Sequence, residues 1–475
     1  MTCPQTARGP CPRFAVEVIP PHCRGCQQGP GNAYHDALAG GWVPFGSPAT
    51  GATTPRVTPA AMLRNELAKL ATIGQPVRPL SAAFDRLAIC QTCDRWRGDH
   101  CGRDHGCDRR HVLVARLLRR DCKEWTGGRL ERLAGRPKVV IHTHALNVGG
   151  AERWVVDLAR HLDPSRVNLL AVTVSNDDGD DVLIAKACEA APILTKPAQV
   201  RAVVNQADVI VCWSVPPPGT SRRTVFCGHG MDAWAANNLR RLGTLRDFHA
   251  TAVSQAVADF LPVEADVIYN GSDPARLEPR AGRDVTRRRL GIPAGAVVVG
   301  YVGRLAAGKR PEAVNEAVMH LNRCSGCRPA VALYVGHAPK QEAATARRLG
   351  QIRPKPVFVE RAEHLGDLFA AMDCFLLASP SEGFSLAMIE AWLAGVPVVS
   401  TPVGAVPELE TEHGPLVVRV GVGSKAAELA AAVRRAVAAD NASTVARARD
   451  LARREFTTEA MGKRWTDYLC RIAES

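Results

Sequence analysis

Ser379-Pro380-Ser381-Glu382-Gly383-Phe384-Ser385-Leu386-Ala387-Met388-Ile389-Glu390-Ala391-Trp392-Leu393-Ala394-Gly395-Val396-Pro397-Val398-Val399 is the stretch whose reading decides the fold. The apolar run Cys374 to Ala378 before it ends in Ser/Pro/Gly turn chemistry and reads as a buried strand. Ser385 stands where a helix N-cap is expected, and the amides of Phe384, Ser385 and Leu386 open a helix N-terminus that favours an anion. Glu382 then lies in the loop, and Glu390 lies in the second turn, roughly 7.5 Å beyond Ser385 along the axis. The neighbours of Glu390 are mostly apolar (Met388, Ile389, Ala391, Trp392, Leu393), so a carboxylate there needs a partner.

Outward from this stretch, short apolar runs alternate with helical segments from Lys138 onward, the pattern of βαβ units and a parallel sheet. Strands are predicted at Val139 to His144, Asn168 to Ser175, Ala207 to Ser214, Arg223 to Gly228, His249 to Ser254 and Ala265 to Tyr269. A second series is predicted at Val297 to Val302, Ala330 to Val335, Val357 to Glu360, Cys374 to Ala378, Val396 to Ser400 and Leu416 to Val420. The expected organisation is an N-terminal module over 1–135, Rossmann-like domains over 136–285 and 286–455, and a terminal helix over 456–475 returning to the first of them. Ligands of such sheets bind at the carboxyl ends of the strands, so a site in a cleft between the two halves is expected.

Three further segments belong to that expectation. Gly149 and Gly150, in Leu146-Asn147-Val148-Gly149-Gly150-Ala151-Glu152-Arg153, follow the first strand and let the backbone approach a phosphate or sugar. His229, in Cys227-Gly228-His229-Gly230, ends another strand between flanking glycines. Arg304 and Lys309 follow Gly300-Tyr301-Val302-Gly303; a guanidinium fork and a mobile ammonium suit a nucleoside diphosphate.

Together the Glu382–Glu390 spacing, the Gly-Gly loop and the Arg304/Lys309 loop closely resemble the retaining GT-B glycosyltransferases, family 4 in particular. The resemblance covers about Val139 to Ser475. It implies an α/β chain of GT-B fold and transfer of a sugar from a UDP-, GDP- or ADP-sugar to an acceptor hydroxyl, with no catalytic metal. By resemblance, Arg304 and Lys309 bind the diphosphate and Glu390 the ribose; Glu382 and His229 stand near the transferred sugar, and Gly149, Gly150, Phe384, Ser385 and Leu386 line the donor. This chain has Lys309-Arg310 where the family commonly has Lys-Gly. Where the family has an apolar, Gly-containing loop by the nucleobase, this chain has Phe358-Val359-Glu360-Arg361-Ala362, which leaves the base open. A binding protein on a non-catalytic GT-B domain is the rival reading.

Composition agrees. The 475 residues exceed one core, 46% of them are hydrophobic, and no run of about eighteen apolar residues suggests a membrane span. The net charge of +13 favours anionic partners, whether nucleotide diphosphates, acidic lipid headgroups or nucleic acid, without choosing between them; a nucleotide-sugar and an anionic membrane surface are the expected partners, and nucleic acid is not. Arg clusters such as Arg287-Arg288-Arg289 and Arg116 to Arg120 read as solvated faces. The N-terminus lacks a secretory pattern, so a reducing cytoplasm, with peripheral attachment to the inner membrane face, is expected. The acceptor is a glycan, a lipid-linked sugar or a protein.

Nine of the sixteen cysteines precede residue 135, and in a reducing compartment all sixteen read as metal ligands or free thiols rather than disulfides. Cys90, Cys93, Cys101, His105, Cys107 and Cys122 offer more ligands than a four-coordinate structural zinc requires, although thiolates suit an iron–sulfur cluster as well. Cys3, Cys11, Cys23 and Cys26 form a second candidate group, whereas Cys324 and Cys327 are not read as ligands. The full-length protein purified under reducing conditions is expected to carry bound zinc by elemental analysis. A Cys90→Ser/Cys93→Ser variant is expected to lose part of it, and metal-free wild-type protein would end this reading.

Overall fold

The computed structural model describes residues 42–44 and 135–474, apart from 177–178, 218–219, 221–222, 232–238, 240–246, 325, 339–341 and 363. The cysteines from Cys3 to Cys26, the Cys90 to Cys122 group and the run Arg116 to Arg120 lie outside the described residues. The chain divides into two compact units, changing from one to the other at Gly271–Ser272 and back at Glu455–Phe456. Among the described residues no helix is long and apolar enough to cross a membrane.

One unit is built on the parallel strands β2 (Lys138–Thr143), β3 (Asn168–Val174), β4 (Ile193–Leu194), β5 (Val209–Cys212), β6 (Arg223–Gly228), β7 (Phe248–Ala252) and β8 (Asp266–Val267). Their order is β4-β3-β2-β5-β6-β7-β8, so the direction of winding reverses between β2 and β5. Central strands such as Val209-Ile210-Val211-Cys212 are continuously apolar and buried, because helices cover both faces of a parallel sheet. The terminal helix Thr458–Glu474 packs on the helix Gly150–His161, with the Trp465 ring against that of Trp154 at 5.4 Å between centroids. The approach is close: a Cβ on Gly462 would stand 2.2 Å from the His161 carbonyl oxygen.

The other unit repeats the plan with β9 (Val297–Val302), β10 (Ala330–Val335), β11 (Val357–Ala362), β12 (Cys374–Leu377), β13 (Val398–Ser400) and β14 (Val418–Arg419). The short strand β1 (Trp42–Pro44) lies antiparallel on β11. The order β1-β11-β10-β9-β12-β13-β14 places the reversal between β9 and β12. Core strands match their sequence pattern closely, and the edge strands β8 and β14 are shorter than their apolar runs. The pair β4 carries too few residues to show a pattern.

Several expectations are corrected. Arg287 is not solvated: it is 8% exposed, its Nε donates to the Ala371 carbonyl, and its Nη2 meets Asp373 Oδ2 at 2.6 Å. Arg283 reaches the other oxygen of Asp373, and the Val298 amide donates to Asp373 Oδ2 at 2.7 Å, so one carboxylate ties the helix Arg283–Arg289 to β9. The strand expected at Val357 to Glu360 runs on to Ala362, so the segment set against the family's nucleobase loop is part of β11. Asp180 accepts from the Leu183 amide at 3.0 Å and starts the next helix. Cys324 and Cys327 are joined by a disulfide.

Asp373→Ala would leave the Arg287 guanidinium buried without its counter-charge. A loss of about 3 kcal/mol in urea-unfolding stability is expected, in the range for a broken buried pair. An unchanged midpoint would mean that the carbonyl bonds alone hold Arg287.

Candidate active site

The loops that follow β9 and β12 leave adjacent strands at the point where the winding reverses, the place where an open parallel sheet forms a crevice. Lys309, at the end of the single turn Ala307–Lys309, donates from Nζ to Glu382 Oε2 at 2.7 Å. The Glu382 side chain is 13% exposed and that of Lys309 is 32% exposed, so the pair is partly withdrawn from water yet open to exchange. Ser379 Oγ donates to the Lys309 carbonyl at 3.4 Å, a second link between the loops. Thr401 Oγ1 donates to the Ser379 carbonyl at 2.6 Å, bracing the Glu382 loop from β13. Gly404, at φ 56°, completes that brace: a Cβ there would meet the Gly383 carbonyl oxygen at 2.5 Å.

Tyr301 is buried at the end of β9 and donates to the Arg304 carbonyl at 2.6 Å. Burial, and then the Glu382 charge, push its phenol far up, so it remains a neutral donor that shapes the loop. Arg304 is exposed on that loop.

Ser385 caps the helix Leu386–Ala394, accepting from the Met388 amide at 3.4 Å, and Gly395 ends it in the left-handed conformation at φ 71°. Phe384 is buried, and Ser385 and Leu386 are half-buried at the opening of the helix. Glu390 is 5% exposed and has its partner: Oε1 accepts from Arg276 Nη1 at 3.1 Å and from Ser272 Oγ at 3.2 Å. The apolar surroundings of Glu390 announce that need in sequence. Nothing local announces Ser272 and Arg276, more than a hundred residues away.

In the other unit, Gly149 is the extended N-cap of the helix Gly150–His161, and Gly150 is exposed. His229 is half-buried beyond β6, with its ring edge-on to Trp154 at 4.7 Å and to Trp213 at 6.3 Å between centroids. Its Nε2 is shut off from solvent without a partner among the described residues. Burial lowers its pKa to about 3, so the ring is uncharged and suited to a hydrogen bond rather than to giving up a proton. His142 on β2 is also neutral, lowered to about 4 by burial and then by His144; its Nδ1 lies 2.9 Å from Thr173 Oγ1.

Residues 296–439 match the family model described as glycosyl transferases group 1, which is under a third of the chain. The fold has solved counterparts. HepE of Anabaena, crystallised with UDP and glucose, aligns with a TM-score of 0.60 at 22% identity, over 70% of this chain and 99% of that one. WaaG, a glycosyltransferase involved in lipopolysaccharide biosynthesis, aligns with a TM-score of 0.51 at 18% identity, over 70% and 99%. The fold is that of the GT-B glycosyltransferases. Among curated relatives, the lipopolysaccharide core biosynthesis mannosyltransferase LpsB of Rhizobium meliloti is 29% identical over 185 residues, 38% of this chain and 50% of its own length. A D-inositol 3-phosphate glycosyltransferase of Rhodococcus erythropolis is 34% identical over 152 residues, 30% and 34% of the two chains. The chain thus spans half or less of the length of these curated relatives.

The two neutral histidines set a pH dependence. Unfolded, both rings take up a proton near about 6.5, whereas folded they resist until about 4 and about 3. Between these values the unfolded chain binds more protons, so stability falls as pH falls below about 6.5. A lower urea midpoint at pH 5 than at pH 7 is expected; a midpoint flat across that interval would mean that the folded rings titrate normally.

Proposed function

We propose that the chain is a retaining glycosyltransferase that moves a sugar from a nucleotide-sugar to an acceptor hydroxyl. The observation that carries this reading is the Lys309–Glu382 pair at the reversal of the sheet, beside a capped helix N-terminus. Arg304 and Lys309 hold the diphosphate, and the amides of Phe384, Ser385 and Leu386 add to its field. Both internal bonds of Glu390 fall on Oε1, so Oε2 is the oxygen that accepts from the ribose. Glu382 stands near the transferred sugar; in the other unit, His229 carries an uncharged ring nitrogen and Gly149 and Gly150 allow close backbone approach to a ligand. The HepE structure with UDP makes a UDP-sugar the first donor class to test, and the LpsB name favours a glycan acceptor.

In the reaction, the bond from the anomeric carbon to the phosphate oxygen breaks while the acceptor oxygen bonds to that carbon from the same face. The acceptor's proton passes to the departing phosphate oxygen, whose charge Arg304 and Lys309 stabilise.

A thermal-shift panel of UDP-, GDP- and ADP-sugars, followed by product analysis with the best binder, tests the reading; binding without turnover would favour the non-catalytic rival. Arg304→Ala and Lys309→Ala are each expected to weaken diphosphate binding tenfold or more, since charge-assisted contacts are worth about 1.5 to 3 kcal/mol. Wild-type affinity in both would remove the donor-site assignment. Glu390→Gln is expected to weaken donor binding, and Glu382→Gln to lower turnover more than affinity; the opposite pattern would exchange their roles.

A further inference from the structure

Among the described residues, Arg310 is the one non-glycine residue with a positive φ, at 48°, and it directly follows Lys309. Local geometry leaves it little choice. Its amide closes the turn Ala307–Lys309 on the Ala307 carbonyl at 3.0 Å, and the helix Glu312–Leu321 begins two residues on. Pro311 disfavours the right-handed helical conformation for the residue before it, and an extended residue would carry the chain away from the start of the helix. The left-handed conformation remains, which glycine adopts freely and arginine adopts under strain.

The guanidinium does what glycine could not. Its Nη2 donates to the Ser424 carbonyl at 2.6 Å, in the turn after β14, and to Glu316 Oε2 at 3.0 Å, on the helix that follows. Its Nη1 is buried without a partner among the described residues. Strain and an unsatisfied N–H are thus both retained at one residue, beside the lysine that meets Glu382, and such outliers gather where function fixes the geometry.

We propose that Arg310 is a positioning residue: by fastening the turn to Ser424 and Glu316 it holds Lys309 at the place where a nucleoside diphosphate is bound. The proposal rests on the reading of Lys309 as a diphosphate ligand.

The experiment is calorimetric titration of the full-length protein with UDP, GDP and ADP, carrying the tightest of the three forward. Arg310→Gly keeps the left-handed backbone without strain and removes the anchor. It is expected to fold and to bind the diphosphate at least fivefold more weakly. In a Lys309→Ala background the same change is expected to cost nothing further, because Arg310 acts through Lys309. Glu316→Gln, which removes the charge from one anchor on an exposed side chain, is expected to weaken binding in the same direction and serves if the glycine variant does not fold. Wild-type affinity in the folded variants, or an equal loss from Arg310→Gly with and without Lys309, would overturn the proposal while leaving the donor site standing. Wild-type affinity in Lys309→Ala would instead remove the reading of Lys309 as a diphosphate ligand, and this inference with it.

Discussion

Lys309 and Glu382 meet because the sheet reverses its winding between the strands that carry them. The two residues are 73 positions apart, and each sits on a loop with little structure of its own. What aligns them is the pairing of β9 with β12, with Cys374 opposite Val299 and Phe375 opposite Gly300, so both loops leave the sheet side by side. Thr401 and Gly404 then press on the Glu382 loop from β13, and Ser379 reaches across to the Lys309 carbonyl. The pair lies at an intermediate depth. Enough water is excluded for the charges to matter, and enough is admitted for an arriving anion to compete with the carboxylate for the ammonium.

The segment by which the chain enters this unit is held mainly by polar contacts. Ser272 and Arg276 end on Glu390, the Arg280 and Ala281 amides both donate to Asp367 Oδ1 at 2.7 Å, and Arg283 and Arg287 share Asp373. Buried ion pairs contribute little net stability, since desolvation offsets much of the attraction. They do penalise every misplacement, because a shifted segment strands a charge. Three acidic anchors in one unit therefore fix where residues 272–289 lie more sharply than an apolar contact of similar size would.

The sequence exposed whatever depends on local chemistry. The buried parallel strands announce themselves by continuous Val, Ile and Leu, and the helix after Ser385 by its cap, its apolar run and Gly395. The need of Glu390 for a partner was equally legible. The partners were not, because pairing over more than a hundred residues leaves no local pattern. Arg287 misled for the converse reason: three consecutive arginines on a helix look solvated, and only the fold turns one of them inward to Asp373. Arg310 in place of the family's usual glycine was visible as a departure from the family pattern, but its left-handed backbone and its two anchors arise only in the fold.

The proposed ribose contact of Glu390 would let one side chain serve structure and ligand without conflict. Its Oε1 is committed to Arg276 and Ser272, both of which donate to it, so the carboxylate cannot rotate without losing two bonds. An amide in its place has one accepting atom and one donating atom. Arg276 accepts nothing, so the amide oxygen must face it, and the NH2 group then occupies the position from which a ribose hydroxyl would be accepted. The internal pairing would thus give a nearly isosteric change at Glu390 a defined orientation, with the lost acceptor directed at the ligand rather than shared between the two sides.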